Sequence, residues 1–154
     1  MKEAYGGIFN LMFIIIFLVI VIGVLGLTFS YTKAFKMKDA IIETIEEYEG
    51  TGCFPEKGGV SHPGCRNQIL KKAQELGYSP VSLDCDESTG LVKVDGLYCY
   101  NMEKYTKKVN GIDRHYAIFT VVTQVDIAFP IIEHIMGFRI FQVAGDTREI
   151  MLQY

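Results

Sequence analysis

Four cysteines, Cys53, Cys65, Cys85 and Cys99, are the residues of this chain best suited to covalent chemistry. They form an even set, and their spacing is too irregular for the paired CxxC motifs of a zinc ribbon or a thioredoxin-like redox centre. Disulfide bonding is therefore the better use of them. Sequential pairing, Cys53 with Cys65 and Cys85 with Cys99, closes loops of about a dozen residues, each worth about 3 kcal/mol in a head otherwise short of core. Four cysteines permit three connectivities, and four buried thiols in a cytoplasmic domain are the competing reading.

Other chemistry finds little support. His62, His115 and His134 make neither an HExxH motif nor a pair at metal-binding spacing. His62 close to Cys65 is the one local candidate for an activated thiol, but loop cysteines in an exported head bridge more often than they attack. Asp84, Asp86 and Glu87 lack the central glycine and closing glutamate of a calcium loop and read as a solvated acidic turn. Gly58-Gly59 and Gly6-Gly7 lack the lysine and hydroxyl residues of a phosphate loop. The expectation is a non-enzyme with no metal, cofactor or small-molecule substrate. A net charge of −3 likewise points away from nucleic acid. Tyr98, Tyr100, Tyr105 and Tyr116 are expected to line one side of a hairpin, either as cross-strand packing or as an adhesive aromatic surface.

The element that positions everything else is N-terminal. No charged side chain occurs from Ala4 to Thr32, and Ile8 to Phe29 is almost unbroken Ile, Leu, Val, Phe and Gly. Those residues make a rod of about 33 Å, enough to cross a hydrocarbon core about 30 Å thick. The run is longer than the apolar core of a cleaved signal peptide, although Thr28-Phe29-Ser30 resembles a weak cleavage site. From Tyr31 to Glu49 there is neither Gly nor Pro, and Ala34, Met37, Ile41, Ile45 and Tyr48 recur at helical spacing. One continuous helix from the bilayer to about Gly50 is predicted. The chain then divides into a short leader-like segment at 1–7, a transmembrane helix continuing into an amphipathic stalk at 8–49, and an α+β head at 50–154.

Lys33, Lys36 and Lys38 precede Glu43, Glu46, Glu47 and Glu49 along the stalk, an order that opposes the helix dipole. Lysines at lipid phosphates and a solvated acidic face explain it; so does pairing of one stalk's lysines with a neighbour's acids at an axial offset. Lysines after the span favour a cytoplasmic head by the positive-inside tendency. The cysteines favour an extracytoplasmic one, and that is the orientation expected.

Within the head, Arg66 to Leu76 reads as a short helix closed by Gly77, and Leu91 to Val94 as a short strand. Tyr98 to Lys107, the turn pair Asn110-Gly111 and Tyr116 to Phe129 predict a long antiparallel hairpin. Pro130 interrupts it. An apolar turn at Ile131 to Gly137 and an extended run at Phe138 to Ala144 follow, then a bulge or turn at Gly145-Asp146 and a last strand segment within Thr147 to Leu152.

An apolar helix continuing into an amphipathic one and ending in a terminal hairpin resembles the type IV pilin and pseudopilin plan. The run Val121 to Pro130, the apolar turn to Gly137 and Phe138-Arg139-Ile140 are similar to the strand, proline, turn, glycine, strand pattern of TadE/TadF-like minor pseudopilins of tight-adherence pili. The resemblance implies a pilin-like fold and sibling pilin-like subunits as partners beside the membrane. It also implies leader cleavage by a membrane peptidase at Gly6 or Gly7. The acid expected near the fifth mature position is missing, since Met12 stands there counting from Ile8. That points to a tip or accessory subunit at the cell surface. Ala34, Met37, Ile41, Ile45 and Tyr48 are the expected assembly stripe. The alternative is a solitary single-pass surface protein whose β-rich head binds a ligand or partner.

Overall fold

The structure, a computed structural model, describes residues 2–50, 53, 63–80, 83–126 and 140–152. It is an α+β arrangement in which one long apolar helix leads into a small antiparallel sheet. Helix α1 spans Lys2–Glu47. An apolar sequence in lipid must satisfy its backbone internally, and a helix does so. Its upper end is closed by Glu49 and Gly50, both with positive φ, as the Gly50 N–H reaches back to the Ile45 carbonyl at 2.9 Å.

Helix α2, Pro63–Leu76, opens with proline, which loses no helical hydrogen bond at a first position. Its predicted start at Arg66 falls three residues late. Gly77 ends it, with Tyr78 N–H bonded to the Ala73 carbonyl at 2.9 Å. The α2 helix runs antiparallel to α1, since Gly64 lies against Tyr48 and Gly77 beside the Lys33 ammonium. Arg66 holds Asp95 in a two-pronged bond at 2.9 and 2.6 Å, tying α2 to the turn between the first two strands.

Strand β1 is Val92–Val94, β2 Tyr98–Val109, β3 Ile112–Asp126, β4 Ile140–Asp146 and β5 Ile150–Met151. The order is β1-β2-β3-β4, with β5 following β4 along the same edge of β3. Asn110 and Gly111 both take the left-handed conformation that a two-residue hairpin turn needs. Strand β1 covers β2 only over Tyr98 to Tyr100. Among the described residues, the outer edge of β2 from Asn101 to Val109 is open.

The register of the hairpin is unbroken from Cys99↔Val122 to Val109↔Ile112, so alternation assigns every side chain to a face. Tyr98, Tyr100, Ala117, Phe119, Val121, Val125, Val143 and Ile150 pack into one cluster with Ala34, Met37, Ile41 and Ile45 of α1. Cys99 and Val122 point to the other face and pack with Leu83. The four tyrosines therefore do not share a side. Tyr98 and Tyr100 belong to the helix-facing core, whereas Tyr105 and Tyr116 stack on the opposite face at 5.9 Å.

A second difference concerns the last strands. Gly145 and Asp146 are regular β4 residues paired with Val121 and Thr120. The interruption falls at Thr147, whose N–H and Oγ1 take up the Phe119 carbonyl and N–H at 2.9 and 3.0 Å and so carry the ladder past the irregularity. Glycine at 145 serves packing instead, because a Cβ there would stand 2.9 Å from Lys38 Cδ and 3.0 Å from Ile42 Cδ1. The apolar turn expected at Ile131 to Gly137 and most of the loop expected from Gly50 to Gly64 lie outside the described residues.

Two substitutions test this packing. Phe119→Ala removes a ring that is 2 % exposed at the centre of the cluster and is expected to cost about 3–5 kcal/mol. Gly145→Val, which pushes β4 off α1, is expected to cost about 1–3 kcal/mol. Both are read from denaturant unfolding in mild detergent by circular dichroism, and wild-type midpoints would refute the arrangement.

Candidate assembly and membrane surface

Helix α1 has two environments. Apolar side chains from Ile8 to Phe29 are mostly exposed, with Phe17 at 66 % and Phe29 at 67 %, while Ala34, Met37, Ile41 and Ile45 are at 0 %. The change occurs within about one and a half helical turns. Below it, the helix is long and apolar enough to cross a membrane. The Thr28 and Thr32 hydroxyls donate back to the Val24 and Thr28 carbonyls at 2.8 and 2.7 Å, so neither hydroxyl proton is left without an acceptor.

The expected assembly stripe is corrected by its burial. Ala34, Met37, Ile41 and Ile45 are spent on the chain's own sheet, and Tyr48 packs half-buried against the same core. They offer no face to a sibling subunit. Helical periodicity reports that a stripe is covered and is silent about what covers it. The upper half of α1 is accordingly a core helix of the head and not a free stalk.

Gly6 and Gly7, the expected processing residues, lie inside α1, and the space around Gly7 is open. Met12 is an exposed apolar residue of the same helix.

The charged bands are partly consumed within the chain. Lys38 is buried, with its ammonium 3.0 Å from Asp39 and 4.0 Å above the Phe35 ring. Glu46 accepts the Arg148 backbone N–H and Nε, each at 2.8 Å, and Gln68 donates to Glu47 at 3.1 Å. The Arg148 side-chain hydrogen bond holds the Glu46 carboxyl below its ordinary range. Lys33, Lys36, Glu43 and Glu49 stay on the surface.

Cys53 is bonded to Cys65 and Cys85 to Cys99, with Cα separations of 5.2 and 5.8 Å. No cysteine is free, so Cys65 has no thiolate to offer. His62 and His134 lie outside the described residues. Asp86 caps its own turn by accepting the Ser88 N–H at 3.0 Å, and among the described residues no three metal-ligating side chains come together.

Two structural residues carried no sequence signal. The Tyr78 hydroxyl donates to the Gln124 carbonyl and accepts the Gln124 N–H, both at 3.0 Å, and so ends the β3 ladder where β2 has already turned away. The Gln124 side chain in turn holds Asp84 by its N–H and carbonyl at 3.2 and 2.6 Å. A pattern of hydrophobicity does not encode polar pairs 40 and 46 residues apart. No known protein family, curated protein or solved structure matches this chain.

The Glu46–Arg148 pair has a pH signature. A carboxyl whose folded pKa lies below its ordinary 4.5 stabilises fully above that value and loses its contribution as pH falls through the lowered one. The stability difference between wild type and Glu46→Gln should be constant above pH 4.5 and vanish on further acidification. Melting curves of both proteins between neutral pH and the acid limb check this; a gap unchanged in acid would refute it.

Proposed function

We propose that this chain is a membrane-anchored, pseudopilin-like minor subunit, a tip or accessory component of a surface filament or secretion machine, with its head outside the cytoplasm. The observation that carries the proposal is the division of α1. Its upper half is buried in its own sheet, while its lower half is a rod of exposed aliphatic and aromatic side chains whose only polar interruptions between Ile8 and Phe29 are Asn10 and Thr28. Such a helix is suited to lateral packing among similar helices within lipid, and Gly23 and Gly26 permit close approach. Two disulfides suit an oxidising compartment and support the external head.

Since the upper stripe is covered, assembly contacts fall to the lower half and to the outer flanks of the head. Met12, where a charged residue would pair with a neighbour's terminal amine, favours a subunit that needs nothing stacked above it. The same two facts favour the second reading, a solitary single-pass surface protein.

A photo-crosslinking amino acid in place of Phe17, compared with one in place of Met37, separates the readings in cells carrying the native partners. Assembly predicts adducts with other pilin-like chains from position 17 and none between chains from position 37. It also predicts a mature N-terminus at Gly7 or Ile8. Lipid adducts alone together with an intact Met1 would assign the solitary role.

A further inference from the structure

We infer that the lower end of the head is sunk into the phospholipid headgroup layer on one side of α1, reaching the top of the acyl chains, so that head and bilayer share the helix without a gap. The inference rests on reading Ile8–Phe29 as the bilayer span and adds to it a second lipid-contacting surface.

Contacts between α1 and the sheet fix relative depth. Gly145, paired with Val121, lies against Lys38 and Ile42. Two residues further along β3, the Thr123 hydroxyl donates to the Ala34 carbonyl at 3.1 Å. The sheet thus descends nearly parallel to the helix. Another two residues lower it by about 7 Å, the rise of between four and five helical residues. That brings Val125 and its partner Phe141 to the level of Ser30, one residue above the end of the apolar run. Val125 is 2 % exposed and Ser30 is half-buried, in keeping with that depth.

Exposure along α1 is uneven just below the run's upper limit. Ala34, Ser30, Leu27 and Gly23 follow one another at helical spacing down the head-facing side. Leu27 is half-buried and Gly23 buried, whereas Val24, Leu25 and Phe29 on the other sides are more than half exposed.

Lysines mark the headgroup level independently. Exposed Lys33 and Lys36 begin about one turn above Phe29, at the height where ammonium groups would meet lipid phosphates. Gly77 lies beside the Lys33 ammonium, which places the C-terminal end of α2 and exposed Ser79 in the same layer. The headgroup region adds only about 5–7 Å to each side of the hydrocarbon, too little to clear a sheet that descends to the level of Ser30.

The chain contains no tryptophan, so single tryptophans report depth. The full chain carrying Phe141→Trp, Ser79→Trp, Phe29→Trp or Ile112→Trp is reconstituted in phosphatidylcholine–phosphatidylglycerol vesicles whose acyl chains bear bromine near the headgroup. Phe29 reports the anchor, and Ile112, at the hairpin tip, the far end of the head. Quenching of Phe141→Trp and Ser79→Trp comparable with that of Phe29→Trp, with Ile112→Trp spared, is the expected result. Ser79, being exposed, keeps the test open should the bulkier Phe141→Trp fail to fold. Quenching of Phe29→Trp alone overturns the inference and leaves the anchor standing. Sparing of Phe29→Trp overturns the anchor itself.

Discussion

The contact between the upper half of α1 and the helix-facing side of the sheet is the constraint on which the remaining structure hangs. Small residues make it close: Ala34 on the helix and Gly145 on β4 leave room for Met37, Ile41 and Ile45 to reach Phe119, Val121 and Val143. Once that layer is set, α2 has a defined flank of α1 to run along, and Gly50 must turn tightly over the Phe119 ring. The second, smaller cluster under the Cys85–Cys99 bridge then closes the opposite face. The lower half of α1 and the part that enters the head are thereby one continuous helix.

The features written locally were legible. The unbroken apolar run, the three-and-four spacing from Ala34 to Tyr48 and the Asn110-Gly111 turn each encode their conformation within a few residues. Features that depend on what meets what were not. The Ala34 to Ile45 stripe looked like a surface for siblings because periodicity cannot tell a partner in the same chain from one in another. The tyrosines looked collinear by type, but Tyr98 and Tyr105 differ by an odd number of positions and a strand sends them to opposite faces. Gly145 looked like a turn residue, whereas its lack of a side chain makes space for Lys38 and Ile42. The bond from Arg148 to Glu46 spans 102 positions and leaves no local trace.

Polar groups that looked available for chemistry are largely occupied in holding the head together. Both cysteine pairs close loops, Asp86 caps a turn, and Gln124 and Tyr78 finish strand ends. What remains outward among the described residues is an apolar lower helix, exposed lysines above it, and the flanks of a sheet.

The uncovered outer edge of β2 shows what crowding demands. With Val109 and Ile112 closing the two-residue turn, the backbone groups of Met102, Lys104, Thr106 and Lys108 point away from β3, ready to template a foreign strand. Two of those four positions are lysines, whose charge and bulk make docking of an intruding strand costly. Were the chains held together in one membrane, their heads would meet flank to flank far more often than in solution. Two lysines on that edge would keep such neighbours from joining into a continuous sheet.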